Sequence, residues 1–169
     1  MRLRKLGVVA AALATVGSAL LYGAGPASAD IIGTKRVSDN CVIDGCSQGD
    51  LYIYYHSVAN SGEGNPSGSF AQFYGNVYDQ GSEDVPARGT NVFWRYLFVY
   101  YSGYGDGSGQ GVKNNAAAAD NCSSTDGYRI YYNSGFTGHS QSIPHYFGCG
   151  SSTNLDSTLK NNNASSHFA

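Results

Sequence analysis

Two short stretches carry the side chains best suited to chemistry: VKNNAAAADNC over 112–122 and LKNNNASSHFA over 159–169. Each sets Lys-Asn-Asn ahead of small residues, at Lys113-Asn114-Asn115 and again at Lys160-Asn161-Asn162, and the second adds Asn163, Ser165 and Ser166. Amide and hydroxyl oxygens are donors that a hard cation such as calcium accepts. The same side chains also bond nearby backbone amides and build turns with no metal at all.

Other chemistry-bearing residues form weaker patterns. Cys41, Cys46, Cys122 and Cys149 lack the paired C-x₂-C spacing of a zinc site. His139 and His145 lie near one another with Tyr146, and His56 aligns with Asn133, which reads as scattered surface histidines, with a metal trio as the alternative. GYGDGSGQG over 103–111 is glycine-rich but is neither G-x-G-x-x-G nor a Walker loop, and reads as a hairpin loop. No G-x-S-x-G, H-E-x-x-H or paired-carboxylate signature is present, so the chain reads as no enzyme. Asp39, Asp44 and Asp50 crowd the first cysteine pair and read as a solvated acidic face.

The elements that must hold these residues are strands. Runs rich in tyrosine and β-branched residues cover 51–55, 69–78, 91–101, 128–132 and, weakly, 140–147. Gly, Ser, Asn and Asp clusters separate them at 60–68, 102–111 and 120–127. This spacing predicts an antiparallel all-β domain, a sandwich or a barrel. The four alanines within 115–120 predict the only helical turn. Alternating tyrosines read as core and sheet-face packing, with stacking on sugar rings as the alternative.

The chain also repeats itself. LYIYYHS (51–57) matches YRIYYNS (128–134) without a gap, GSFAQF (68–73) matches GHSQSI (138–143) loosely, and the Lys-Asn-Asn segments match each other. The first half is longer by 30 residues, 7 in its first turn and 23 before Lys113. Two similar halves sharing one core are expected, one over 41–122 and one over 123–169.

Within the second half, Tyr131-x₄-Phe136-x-Gly138 sets one aromatic against another across a tight hairpin closed by glycine. This run, followed by NNNASS, resembles the βγ-crystallin Greek-key motif. Together with YYNS, GNVYD and GQGVKNNAA, it resembles small secreted actinobacterial proteins grouped with the streptomycete metalloproteinase inhibitors. The resemblance covers about Cys41 to Ala169. It implies a double Greek-key β-sandwich with an insertion in the first half. It also implies calcium clamps, in which Asn161, Asn162, Asn163, Ser165 and Ser166 fit every position and Asn114 and Asn115 fit part of the first. There Ala118 and Ala119 replace the two serines, so calcium affinity should be low.

Arg2, Arg4 and Lys5, an apolar stretch to about Leu21, and Ala27-Ser28-Ala29 have the form of a secretory signal peptide over 1–29. Cleavage after Ala29 leaves residues 30–169 as one domain. Three of the ten basic residues fall in the leader and none of the twelve acidic ones, so the mature charge is near −5. That balance argues against nucleic acid, and no membrane span follows the leader. An even cysteine count in an exported chain predicts disulfides. Four cysteines allow three connectivities, of which pairing near neighbours gives Cys41–Cys46 and Cys122–Cys149.

The functional expectation is a secreted, monomeric inhibitor of an extracellular protease, chiefly a metalloproteinase. A rigid loop pinned by disulfides would do the blocking, since little entropy is lost on docking. Candidate loops are 42–45, 60–68 and 81–91. The alternative is a calcium-stabilised structural or surface-binding module.

Overall fold

The structure is a computed structural model, and it describes residues 31–59, 68–87, 90–100, 105–145 and 149–169. The leader and most of loop 60–68 lie outside these. The elements run β1 (Ile31–Val37), α1 (Cys41–Asp44), β2 (Leu51–Tyr54), β3 (Phe70–Phe73), β4 (Ser82–Ala87), β5 (Thr90–Tyr96) and β6 (Ala118–Asn121). They continue through β7 (Tyr128–Asn133), β8 (Thr137–Ile143), β9 (Thr153–Asn154) and β10 (Ser165–Phe168). The chain is all-β, and α1 is one turn.

Three sheets form, ordered β3-β2-β6-β9, β10-β7-β8 and β1-β5-β4. The first two follow the sequence repeat closely. Tyr54 pairs with Ala118 and Leu51 with Asn121 across β2 and β6. Tyr131 pairs with Ser165 and Tyr128 with Phe168 across β7 and β10. These are the same register in repeat coordinates. Each half also sends a short piece across: β9 follows β8 in the chain yet pairs with β6, and Val77, which follows β3, bridges Ser166 of β10.

The core lies where these sheets meet. Leu51 and Ile53 of β2, Phe73 of β3, and Tyr128 and Ile130 of β7 are fully buried in one cluster. Period-two alternation sends those residues to one face. Each such side chain contributes about 1.5–3 kcal/mol by leaving water.

Several boundaries differ from the sequence expectation for local reasons. The alanine run makes strand instead of a helical turn: Ala118–Asn121 is buried throughout and flanked by β2 and β9. Methyl groups let a central strand sit deep in the core, and a lone helical turn is unstable by itself. The run expected over 69–78 stops at Phe73. The backbone of Tyr74 is taken by Asn40, whose Oδ1 accepts its N–H at 2.6 Å and whose Nδ2 donates to its carbonyl at 2.9 Å. Free of β3, the chain crosses to Val77. The run expected over 91–101 ends as β5 at Tyr96, and that expected over 140–147 begins earlier, at Thr137.

The third sheet was not expected as a sheet. The sequence predicts a loop over 81–91, but 82–87 form β4 and β5 begins at Thr90, and β5 pairs β1 in parallel. Part of the first-half insertion is therefore strand.

Candidate functional site

The two Lys-Asn-Asn turns are brought face to face. Asn114 donates its backbone N–H to the carbonyl of Asn163, and Asn161 donates to the carbonyl of Ala116, both at 2.8 Å. Asn163 and Ala116 occupy equivalent places in the repeat, so the pair of bonds is reciprocal. Asn114 and Asn161 share the left-handed backbone, with φ of 63° and 60°, a conformation asparagine tolerates better than most residues. Asn115 donates from Nδ2 to the carbonyls of Gly111 and Lys113, as Asn162 does to Thr158 and Lys160.

The lysines complete the exchange. Lys160 Nζ reaches Ser57 Oγ at 2.7 Å, and Lys113 Nζ reaches Ser134 Oγ at 2.7 Å. Ser57 and Ser134 close the matched YYHS and YYNS runs. Lys113 also pairs with Asp79 at 2.7 Å. Burial opposes charge on Asp79, but the bonds from Lys113, Ser134 and Gly81 outweigh it and hold its pKa below the ordinary carboxylate value. Sequence reading assigned neither lysine a role. The signal was there, because the serine and the lysine repeat together.

Two side-chain oxygens of the second turn, Asn163 Oδ1 and Ser165 Oγ, accept bonds from protein donors. Asn163 is fully buried. Its Oδ1 accepts from Ala116 N at 2.9 Å, while its Nδ2 donates to Gln80 Oε1 at 2.7 Å and to the Val112 carbonyl at 3.0 Å. Ser165 Oγ donates to the Asn133 carbonyl at 2.7 Å and accepts from Phe136 N at 3.1 Å. Ser166 points to the opposite face of β10, across from core residue Ile130. Its buried hydroxyl meets no partner among the described residues. Ser165 and Ser166 therefore leave β10 on opposite faces and are not arranged to share one ion, whereas Asn161 and Asn162 accept no bond at Oδ1 among the described residues.

The aromatic hairpin takes its expected form. Tyr131 and Phe136 meet edge to face at 6.2 Å, and Gly138 takes φ of 80°, the left-handed corner that favours glycine. Exposed Tyr78 joins Phe136 at 5.8 Å. Tyr54, Tyr96 and Tyr128 are core residues, whereas Tyr74, Tyr78, Tyr100 and Tyr132 are exposed.

Both near-neighbour disulfides are present, Cys41–Cys46 and Cys122–Cys149. The first closes a small knuckle around α1. Inside it Ile43 packs on the core while Val42 is 64% exposed. Asp39 accepts the N–H groups of Cys41 and Gly49, at 2.8 and 3.2 Å, and Asn40 ties the base of the knuckle to Tyr74. Gly45, at φ of 74°, ends the turn by donating to the Cys41 carbonyl. Asp44 accepts from Asn40, and Asp50 accepts from the Tyr128 hydroxyl. These aspartates are brackets for the knuckle and its neighbours where a solvated face was read.

The histidines stay apart: His56 pairs with Asp106 at 2.8 Å and His139 with Asp156 at 2.7 Å. No cluster of three or more His, Cys, Asp or Glu residues suited to a metal occurs among the described residues. No described helix is long and apolar enough to cross a membrane. Compared with protein-family models, curated proteins and solved structures, the chain matches none.

Proposed function

We propose that the chain is a secreted proteinase inhibitor with a βγ-crystallin-like double Greek-key architecture, acting as a monomer on an extracellular metalloproteinase. The fold part of this reading is supported by the exchange of β9 and the Val77 segment between two sheets of matching register. Two Greek keys that trade their third strands produce that order. Two disulfides accord with export.

The observation that carries the inhibitory part is the Cys41–Cys46 knuckle. An apolar side chain stands exposed on a turn locked by a disulfide, two asparagine bonds and an aspartate bracket. Such a knob loses little freedom on docking and needs no catalytic group. Backbone bonds within α1 hold the knuckle in a helical turn, so it blocks a cleft as a plug and does not present an extended, cleavable strand. The test is a panel of metallo-, serine and cysteine proteases titrated with the pure protein. Inhibition confined to metalloproteinases, with the inhibitor recovered uncut, is the expected outcome. An unaffected panel, or a chain cut within 41–46, contradicts it.

The second reading, a calcium-stabilised surface-binding module, draws on the facing asparagine turns. It is the weaker one, because Asn163 Oδ1 and Ser165 Oγ already serve protein donors and Ser166 leaves the opposite face of β10.

A further inference from the structure

Arg36 of β1 and Arg95 of β5 are direct partners in the parallel pair, so their side chains leave the sheet on the same face. Like charges placed opposite each other are destabilising. Both arginines are exposed, and neither has an ion-pair partner among the described residues. Asp79 is committed to Lys113, and Glu83, on the opposite face of β4, to the Tyr96 hydroxyl at 2.7 Å; Asp84, which shares the arginines' face two residues from Arg95's partner Ser82, forms no ion pair with either arginine. Two unneutralised guanidiniums side by side are unexpected in a chain whose mature charge is negative.

Both arginines line one cleft of about 400 Å³, walled on another side by Lys113 and by Gly109 and Gly111 of the glycine-rich turn. Gly111 does not have the left-handed φ that would demand glycine, and a Cβ there would meet nothing within 4 Å. Neither conformation nor packing explains the missing side chain. A side chain at this lining position would meet open space.

We infer that this cleft binds a dianionic oxyanion, a phosphate or sulfate group, held between the forks of Arg36 and Arg95. Guanidinium matches such oxygens bidentately. Two unpaired positive charges suit a dianion better than a lone carboxylate. The site lies on the third sheet and includes no residue of the Cys41–Cys46 knuckle.

The test is a titration with inorganic phosphate and, separately, inorganic sulfate at constant ionic strength, followed by chemical shifts of the arginine side chains. Acetate serves as the monoanion control, and a phosphate-bearing polymer distinguishes a free ion from a displayed group. Saturable shifts at Arg36 and Arg95 are expected, with acetate weaker by about ten-fold or more. Arg36→Gln and Arg95→Gln should each weaken binding about ten- to a hundred-fold, the loss of a charged hydrogen-bonded contact. In the absence of anion, either variant should melt slightly higher than the parent at low salt, because the repulsion is gone. Gly111→Glu should abolish binding while leaving the fold intact. Tighter binding of the polymer than of free phosphate assigns the site to a displayed group, and equal affinity assigns it to the ion. The inference is overturned if no saturable shift appears, or if the arginine variants bind as the parent does. A stabilisation by sulfate shared equally by parent and variants is surface exclusion alone and overturns it too.

Discussion

Lys160 donates to Ser57 across 103 residues of chain, at 2.7 Å. Lys113 makes the same bond in reverse, to Ser134 of the other half. The repeated Lys-Asn-Asn thus works as a two-way latch, with each half's turn closing on the other half's first strand. Asn163 sits at its centre, buried and bonded to Ala116, Gln80 and Val112.

Asn163→Ala should cost about 2–3 kcal/mol, because it strands buried partners without water. Asn163→Asp should be worse at neutral pH than at pH 4, since a carboxylate would face the Val112 carbonyl. Urea unfolding at both pH values checks this. Equal loss at both pH values would contradict the assigned bonds.

How much of this was legible beforehand differs by element. The repeat, the disulfide pairs and the aromatic hairpin were readable because each rests on local spacing. The latch lysines and serines are visible as repeated residues, but their cross-pairing is not, because Lys113 and Ser134 approach only after both sheets form. The alanine run misled for a related reason: local propensity favours helix, and burial between β2 and β9 overrides it. The parallel β1–β5 pair joins segments about sixty residues apart, and nothing in either run marks the other as its partner.

Acid should weaken the latch. The pKa of Asp79 is lowered in the fold, so its contribution is complete above the unfolded value of 3.8 and is lost as pH falls through the folded value. Asp79→Asn should destabilise the protein at pH 7 and flatten the decline below pH 3.8. Thermal midpoints from pH 2 to pH 7 for parent and variant give the comparison.

Alkali should act through two tyrosines. Burial raises the pKa of Tyr96 and Tyr128, and hydrogen bonds to Glu83 and Asp50 raise them further, although the Gly75 N–H partly offsets this for Tyr128. Their stabilising contribution is full below the unfolded value of 10.0 and declines as pH rises above it. Ultraviolet titration should show these two ionising only together with unfolding. A smooth titration of every tyrosine near pH 10 in folded protein would refute their burial.

Calcium separates the two uses of the asparagine turns. Ser165→Ala should lower the thermal midpoint equally with and without millimolar calcium, because it removes the bonds to Asn133 and Phe136. Calcium alone should leave the parent unchanged. A calcium-dependent rise abolished by Ser165→Ala would restore the metal reading, since a ligand bound only by the folded state stabilises it.

The most direct measurement of the inhibitory account is the inhibition constant of the parent and of Val42→Asp against one metalloproteinase, thermolysin serving as the first. Val42 is exposed, so the substitution should leave the folding stability within about 0.5 kcal/mol of the parent. The account predicts that the parent inhibits and that Val42→Asp weakens inhibition at least about a hundred-fold, as loss of a central anchor does. Equal inhibition by both proteins, or none by the parent, would contradict it.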